Sequence, residues 1–370
     1  MLNSQFPSDK DRKFRIVRPL ARMSDLKRLR AHAIGQSLFP QTTLKAAIRR
    51  LGFVQADPIR SPARAQDLIL RHRVRNYRAG DLERRYTSLD IEEDVLYAYG
   101  FLPRPIWQLL HPRNVRGISK LERKVFDTVC KFGVMHPVEL QEHFGTARVI
   151  NAWGGYSKAT TRALESLHYR GLLRIARREN GIRLYEPARP WGDSLSPSER
   201  LRKLIMVIAN VLAPLSERGL LANTARLRRL GNSRSIVTDL LKTGELERQL
   251  IDGISYVWPC LTKTSEQVPR NVRFLAPFDP LVWDRSRFEH LWGWPYRFEA
   301  YTPAAKRLRG YYAMPILWCD SVIGWANVSI NSALLSVDVG FIEKRPTDAD
   351  FKSELEEEIA RMKLFLDLKE

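Results

Sequence analysis

The sequence predicts an α+β protein: three tandem winged-helix motifs followed by a small C-terminal β-barrel with a terminal helix. Three observations support that class. A helix-like segment running into a glycine and then a strand recurs along the first two thirds of the chain. Two recurrences carry Asn180-Gly181 and Asp252-Gly253, the strongest short hairpin signals. After Pro269 the pattern changes to short apolar runs bounded by turn residues, as in a small antiparallel sheet or barrel. Four units result, at 1–115, 116–190, 191–265 and 266–370.

In the first unit a helix is expected over 42–51, a break at Gly52 and a strand over 53–57. Ser61-Pro62 has the form of an N-cap followed by proline at the first helical position, opening a helix over 63–75. The second unit shows helices at 121–132, 137–144 and 157–167, the last with Ser157 as N-cap. Gly171 ends that helix, and 172–175 and 182–185 follow as a hairpin. Helix, helix, helix, hairpin is the winged-helix order. The third unit repeats it with 197–211, 216–230 and 235–241, then strands 245–251 and 254–258; Ser196 and Pro197 supply the N-cap and first position of its first helix. The copies share little identity, so the repeat is one of element order. In the last unit short strands are expected at 274–277, 296–301, 311–317, 322–328 and 335–339. Leu355, Ile359, Met362 and Leu366 at helical spacing mark a helix over 353–366 that packs on them.

At 370 residues and 44% apolar content the chain can bury a large core. Cys130, Cys260 and Cys319 form no CxxC pair, which argues against a disulfide framework and for a reducing cytoplasm. No run approaches the roughly 20 apolar residues of a membrane span. The charged run Asp9-Lys10-Asp11-Arg12-Lys13 has no apolar region after it, so no secretory signal is visible. His111, His136 and His143 lack the spacing of a metal motif, and there is no phosphate-binding or dinucleotide fingerprint; no metal and no cofactor are expected.

Charge points to a partner. Sixty-one Lys+Arg against 41 Asp+Glu give +20. Residues 1–80 hold 18 Lys/Arg and five Asp/Glu, a surplus of 13, whereas 346–370 hold eight acids and four bases. Such a surplus attracts nucleic acid or anionic membrane. The basic segment shows no clean amphipathic membrane helix, so nucleic acid is preferred and membrane is not. The plain alternative is a basic surface that serves solubility.

Chemistry concentrates at Gln55 and Asp57. On a strand, residues i and i+2 share a face, so an amide and a carboxylate project side by side with Phe53. A carboxylate can stabilise an oxocarbenium-like state or activate water, and an amide can orient that water. A leaving base that already carries positive charge needs no general acid. The bland alternative is a turn, because Asp57-Pro58 favours one. Beyond the pair, Arg60, Arg64 and Arg71 lie on or before a helix whose start could hold phosphate. Lys158, Thr160 and Arg162 fall on the expected recognition helix, with Arg174, Arg177, Arg178 and Arg183 on or near its wing. The dense aromatics of 283–312 are expected mainly in a core, with Lys306, Arg307 and Arg309 exposed between them.

Gly52-Phe-Val-Gln-Ala-Asp-Pro58 with Ala63-Arg-Ala-Gln-Asp-Leu68 resembles the catalytic segment of the bacterial winged-helix DNA glycosylases typified by AlkZ and YcaQ. Leu275-Ala-Pro-Phe-Asp-Pro-Leu-Val-Trp-Asp284, the run 296–307 and Gly310-Tyr-Tyr312 resemble that family's C-terminal signature. The likeness spans about residues 20–368. It implies a monofunctional DNA glycosylase. AlkZ-like members carry Gln-x-Gln and YcaQ-like members Gln-x-Asp, so Gln55-Ala56-Asp57 sides with the YcaQ-like branch. That branch excises N7-alkylguanine and unhooks nitrogen-mustard crosslinks. By resemblance Asp57 stabilises the oxocarbenium and helps activate water, which Gln55 holds. The chain departs from the family pattern at Gln66, where His is common, and at Asp94–Ala98, where a Tyr-Trp-Ala-His-Glu-like run is common.

The resulting expectation is a cytoplasmic, nucleoid-associated monomer acting on duplex DNA with alkylated purines. Its DNA contacts would come from Arg60, Arg64, Arg71, Lys158, Thr160, Arg162, Lys306 and Arg307, and its chemistry from Asp57 and Gln55. The alternative from another class is a non-catalytic winged-helix regulator or architectural protein.

Overall fold

A computed structural model describes residues 23–113, 117–150, 155–188, 195–260, 268–332 and 334–368. The charged run at 9–13 and the three expected unit boundaries lie outside the described residues.

The first unit runs α1 (Met23–Ser37), α2 (Leu44–Leu51), β1 (Val54–Gln55), α3 (Ala65–Leu70), α4 (Asp81–Arg84), β2 (Ile91–Val95), β3 (Tyr99–Pro103) and α5 (Arg104–Leu110). In α2, Leu44, Ala47, Ile48 and Leu51 are buried at the spacing of one helix face. Thr43 caps it by accepting the Ala46 N–H at 3.3 Å. Gly52 stops it with φ of 78°, returning its N–H to the Ile48 carbonyl at 2.8 Å. The chain thereby reverses into β1, the edge of an antiparallel sheet of order β1-β3-β2. A side chain at Gly100, opposite Gln55, would put its Cβ 2.3 Å from the Val54 carbonyl oxygen. Only glycine lets β1 and β3 approach this closely.

The helix expected over 63–75 is shorter. A turn occupies Ser61 to Ala63, with the Ser61 N–H on the Ala63 carbonyl at 3.3 Å, and α3 starts behind Arg64. It stops at Leu70 because the following backbone pairs with Thr42: Thr42 donates to Arg73 at 2.9 Å and Arg75 donates to Thr42 at 3.0 Å.

The second unit holds α6 (Lys120–Phe132), α7 (Pro137–Phe144), β4 (Arg148–Ile150), β5 (Tyr156–Lys158), α8 (Ala159–Arg170), β6 (Leu173–Glu179) and β7 (Ile182–Pro187). Ser157 pairs with Val149 in the β4–β5 ribbon, so Lys158, not Ser157, stands at the N-cap of α8. The third unit holds α9 (Pro197–Val211), β8 (Leu215–Ser216), α10 (Glu217–Asn223), α11 (Ser233–Lys242), β9 (Leu246–Ile251) and β10 (Ile254–Pro259). Ser196 and Glu199 form a capping box on α9, with Pro197 in its first turn. The single helix expected over 216–230 divides at Thr224, whose hydroxyl donates to the Leu221 carbonyl at 2.9 Å. Both hairpins turn as expected, with positive φ at Asn180, Gly181, Asp252 and Gly253.

The last unit holds β11 (Val272–Phe274), α12 (Pro280–Trp283), α13 (Arg285–Trp292), β12 (Met314–Trp318), β13 (Ser321–Asn331), β14 (Leu334–Phe341) and α14 (Ala349–Phe365). Of the small antiparallel sheet or barrel expected here, the structure shows the sheet, a four-stranded antiparallel meander β11-β12-β13-β14. Residues 296–301 form no strand. Glu299 instead turns its carboxylate onto the N–H groups of Leu308, Arg309 and Gly310, at 2.8–3.2 Å, and folds the 299–310 segment into a loop. Helix α14 packs on β11, with Phe351, Leu355, Met362 and Phe365 buried. One continuous core joins Val54, Leu68 and Phe101 to Val125 and Leu164 of the second unit and to Phe274, Ile316 and Phe351 of the last.

Candidate active site

Gln55 and Asp57 sit where the first unit meets the last. The ladder with β3 holds Gln55 opposite Gly100 and continues one residue further, with the Ala56 N–H on the Tyr99 carbonyl at 2.9 Å. Phe53 packs on Tyr97 with ring centroids 4.7 Å apart, and Tyr97 on Trp283 at 5.3 Å, which anchors the strand entering the site.

Gln55 is 9% exposed, and its Oε1 is buried without a protein hydrogen-bond partner. Asp57 is half-buried. Its Oδ1 accepts the Ile59 N–H at 2.9 Å, an Asx-type turn. Its Oδ2 has no hydrogen-bond partner among the described residues and is not sealed from solvent. Burial raises the Asp57 carboxyl above its ordinary value, and the Ile59 N–H only partly offsets this. The turn reading and the reactive reading of Asp57 thus each describe one oxygen.

The 301–312 segment faces this carboxylate. Burial, then the charge of Asp57, raises the hydroxyls of Tyr301 and Tyr312 above the usual tyrosine range. The Tyr312 hydroxyl is buried without a partner, while Tyr301 is 80% exposed. The expected aromatic core therefore holds for Trp294, Tyr296 and Tyr312 but not for Tyr301 and Tyr311.

The expected DNA-contacting residues divide. Arg60, three positions beyond Asp57, and Lys306, within the facing segment, are exposed. Arg307 lies over the Tyr311 ring at 5.1 Å and donates to the Thr302 carbonyl at 2.8 Å. Arg309 is half-buried instead of free, between Trp294 and Trp325 at 5.2 and 5.4 Å. Arg64 is ion-paired with Glu83. Lys158 donates to Gln141 Oε1, and Arg162 lies 3.7 Å from Glu165. Arg71 and Thr160 are interior, which corrects their expected place on the surface. Arg71 is turned inward by its ion pair with Glu358, and Thr160 lies in the first turn of α8 on the side packed against the unit's core.

The residues that the sequence reading overlooked are Glu92, Glu93 and Asp94, consecutive on β2 and all essentially without exposed surface. Glu92 accepts Arg104 Nε at 3.0 Å and Arg174 Nε at 2.8 Å. Glu93 accepts the Tyr99 hydroxyl at 2.6 Å and Arg178 Nε at 2.7 Å. Asp94 accepts Trp107 Nε1 at 2.8 Å, the His111 ring at 2.7 Å and Arg113 at 2.7 Å. Burial pushes the Glu92 carboxyl up to about 7 despite its two arginines. Burial would also raise Glu93 and Asp94. There Arg178, and His111 with Arg113, outweigh it and hold both below the ordinary carboxylate range. The wing arginines Arg174, Arg178 and Arg183 are thus engaged with acids of the first unit instead of facing phosphates. A signal was present in Ile91, Val95 and Leu96, apolar residues that bracket the three acids, since carboxylates drawn into a core are seldom unpaired.

Gln66 is buried with its Oε1 unpartnered, and Tyr97 is buried against Phe53, so both departures from the family pattern are interior. Among the described residues no helix is long and apolar enough to cross a membrane, and no group of three His, Cys, Asp or Glu is placed to hold a metal. The family model described as DNA glycosylase AlkZ-like matches residues 48–365.

Proposed function

The chain belongs to the AlkZ-like DNA glycosylase family, and from that premise we propose that it hydrolyses the N-glycosidic bond of cationic N7-alkylguanine in duplex DNA, including crosslinks of the nitrogen-mustard type. The C1′–N9 bond breaks and its electron pair neutralises the cationic base, so no general acid is required. Asp57 stabilises the positive charge left on the sugar and takes a proton from the water that adds to C1′. Gln55 orients that water. The product is an abasic site with both strands intact. Gln55-Ala56-Asp57, with its Gln-x-Asp pattern, supports the YcaQ-like branch, and on this reading the three helical units serve as winged helices that carry the duplex past the site.

The observation that carries this reading is the state of the two side chains. The free Oδ2 of Asp57 and the unpartnered Oε1 of Gln55 are a base and an acceptor with no structural bond to lose. The test is release of free base from a duplex with a single N7-methylguanine, followed by alkali cleavage at the abasic site. Absence of release by the wild-type chain, with binding retained, overturns it. That outcome supports the second reading, a DNA-binding regulator or architectural protein, which the Asp57–Ile59 turn favours.

A further inference from the structure

Away from Gln55 and Asp57, a cavity of about 370 Å³ opens among the segment 71–78 that follows α3, β11 and α14. Four guanidinium groups line it, those of Arg71, Arg78, Arg273 and Arg361. Two are committed to carboxylates. Arg71 is ion-paired with Glu358, and Arg361 donates to Glu358 at 3.1 Å while lying 3.7 and 3.8 Å from Glu354 and Glu357. Glu358 also accepts the Phe274 N–H at 2.9 Å, which leaves it little capacity for another donor.

The other two have no carboxylate. Arg78 gives its side chain to the Leu364 carbonyl. Arg273 makes no hydrogen bond and no ion pair with any described residue, although it is half-buried; burial lowers its guanidinium to about 10. His72, also in the wall, is neutral: burial holds its ring well below its ordinary value, and its Nε2 lies 2.9 Å from the Phe274 carbonyl. The lining thus holds two guanidinium groups that stand in no ion pair; Glu358 and Asp279 act on Arg273 only at a distance, against Arg73 and Arg361. A partly dehydrated cation is costly until an anion joins it. The planar fork of arginine matches the oxygens of a phosphate, and the volume falls in the range of small-molecule sites.

We propose that this cavity is a second binding site, separate from the glycosylase centre, for a phosphate group gripped by Arg273 and Arg78. A free phosphorylated small molecule and a phosphate of DNA present the same chemistry, and the experiment separates them.

Titration calorimetry of the full chain with inorganic phosphate, at constant ionic strength in chloride, is expected to show saturable one-to-one binding. Arg273→Gln should weaken it about tenfold or more, the loss expected for one charged hydrogen-bonding group. Arg78→Gln removes the second unpaired cation and should weaken it too, which keeps the test open if the first variant does not fold. Non-specific salt stabilisation is neither saturable nor sensitive to these substitutions. No saturable binding, or one affinity shared by the wild type and both folded variants, overturns the site. A short undamaged duplex that displaces phosphate assigns the site to DNA; a duplex without effect assigns it to a free phosphorylated ligand.

Discussion

The backbone N–H of Ile59 donates to Oδ1 of Asp57 at 2.9 Å, so one side chain both closes a turn and keeps a free oxygen. The two tasks separate under substitution. Asp57→Asn keeps an acceptor for the turn and removes the base. Base release from N7-methylguanine duplex should fall about 10²–10⁴-fold with little change in thermal unfolding. Asp57→Ala should lose the same activity and also some stability. Full activity in both variants would remove Asp57 from the mechanism.

The pH profile carries the same residue. Burial raises the Asp57 carboxyl above its ordinary 3.8, and a base must be ionised to work. The acid limb of kcat/KM is therefore expected above pH 3.8. The sign for folding is the opposite of an ion-paired acid. The folded value is the higher one, so the contribution of Asp57 is most favourable below the unfolded value and is lost as pH rises through the folded value. A limb at or below 3.8 would contradict this.

Gln55 has an amide oxygen buried without a partner, which costs stability. Gln55→Leu is expected to leave the unfolding free energy unchanged or slightly higher while lowering the single-turnover rate. A variant that unfolds more easily would show that the amide is structural.

Glu93 and Arg178 join the first two units through a buried pair. Removing one partner leaves the other charge buried, so Glu93→Ala should cost about 3–5 kcal/mol in urea unfolding. In a double-mutant cycle with Arg178→Ala the losses should be strongly non-additive. Additive losses would mean that the two side chains act separately.

Gly100→Ala places a Cβ against the Val54 carbonyl and the Phe53 ring. The strand that carries Gln55 must move, so activity should fall although residue 100 touches no substrate. Wild-type turnover in a folded Gly100→Ala protein would show that β1 has room to shift.

The periodic elements were readable in the sequence because local rules decide them. Asn180-Gly181 and Asp252-Gly253 make their hairpins, and Ser196-Pro197 starts its helix, through residues within a few positions. The misreadings share another cause. Ser157 reads as an N-cap until Val149 claims it for a ribbon, and 71–75 read as helix until Thr42 pairs with them. Arg174 and Arg178 read only as basic residues on or near a wing until Glu92 and Glu93 are seen beneath them. At the candidate site, residue types, spacing and a turn at Asp57 were visible; that the Asp57 charge acts on Tyr301 and Tyr312 was not, because they come from the far end of the chain.

The acid triplet of β2 also bears on how tightly DNA is held. Every arginine it draws inward is one that a polyanion never meets: Arg113, Arg174 and Arg178 are spent on it, as Arg73 is spent on Asp279 and Arg71 on Glu358. Counterions are displaced from DNA only by cations that reach its phosphates. The ionic-strength dependence of binding should therefore scale with the exposed cations that reach the duplex, such as Arg60 and Lys306, and be shallower than the full count of 61 Lys and Arg would give.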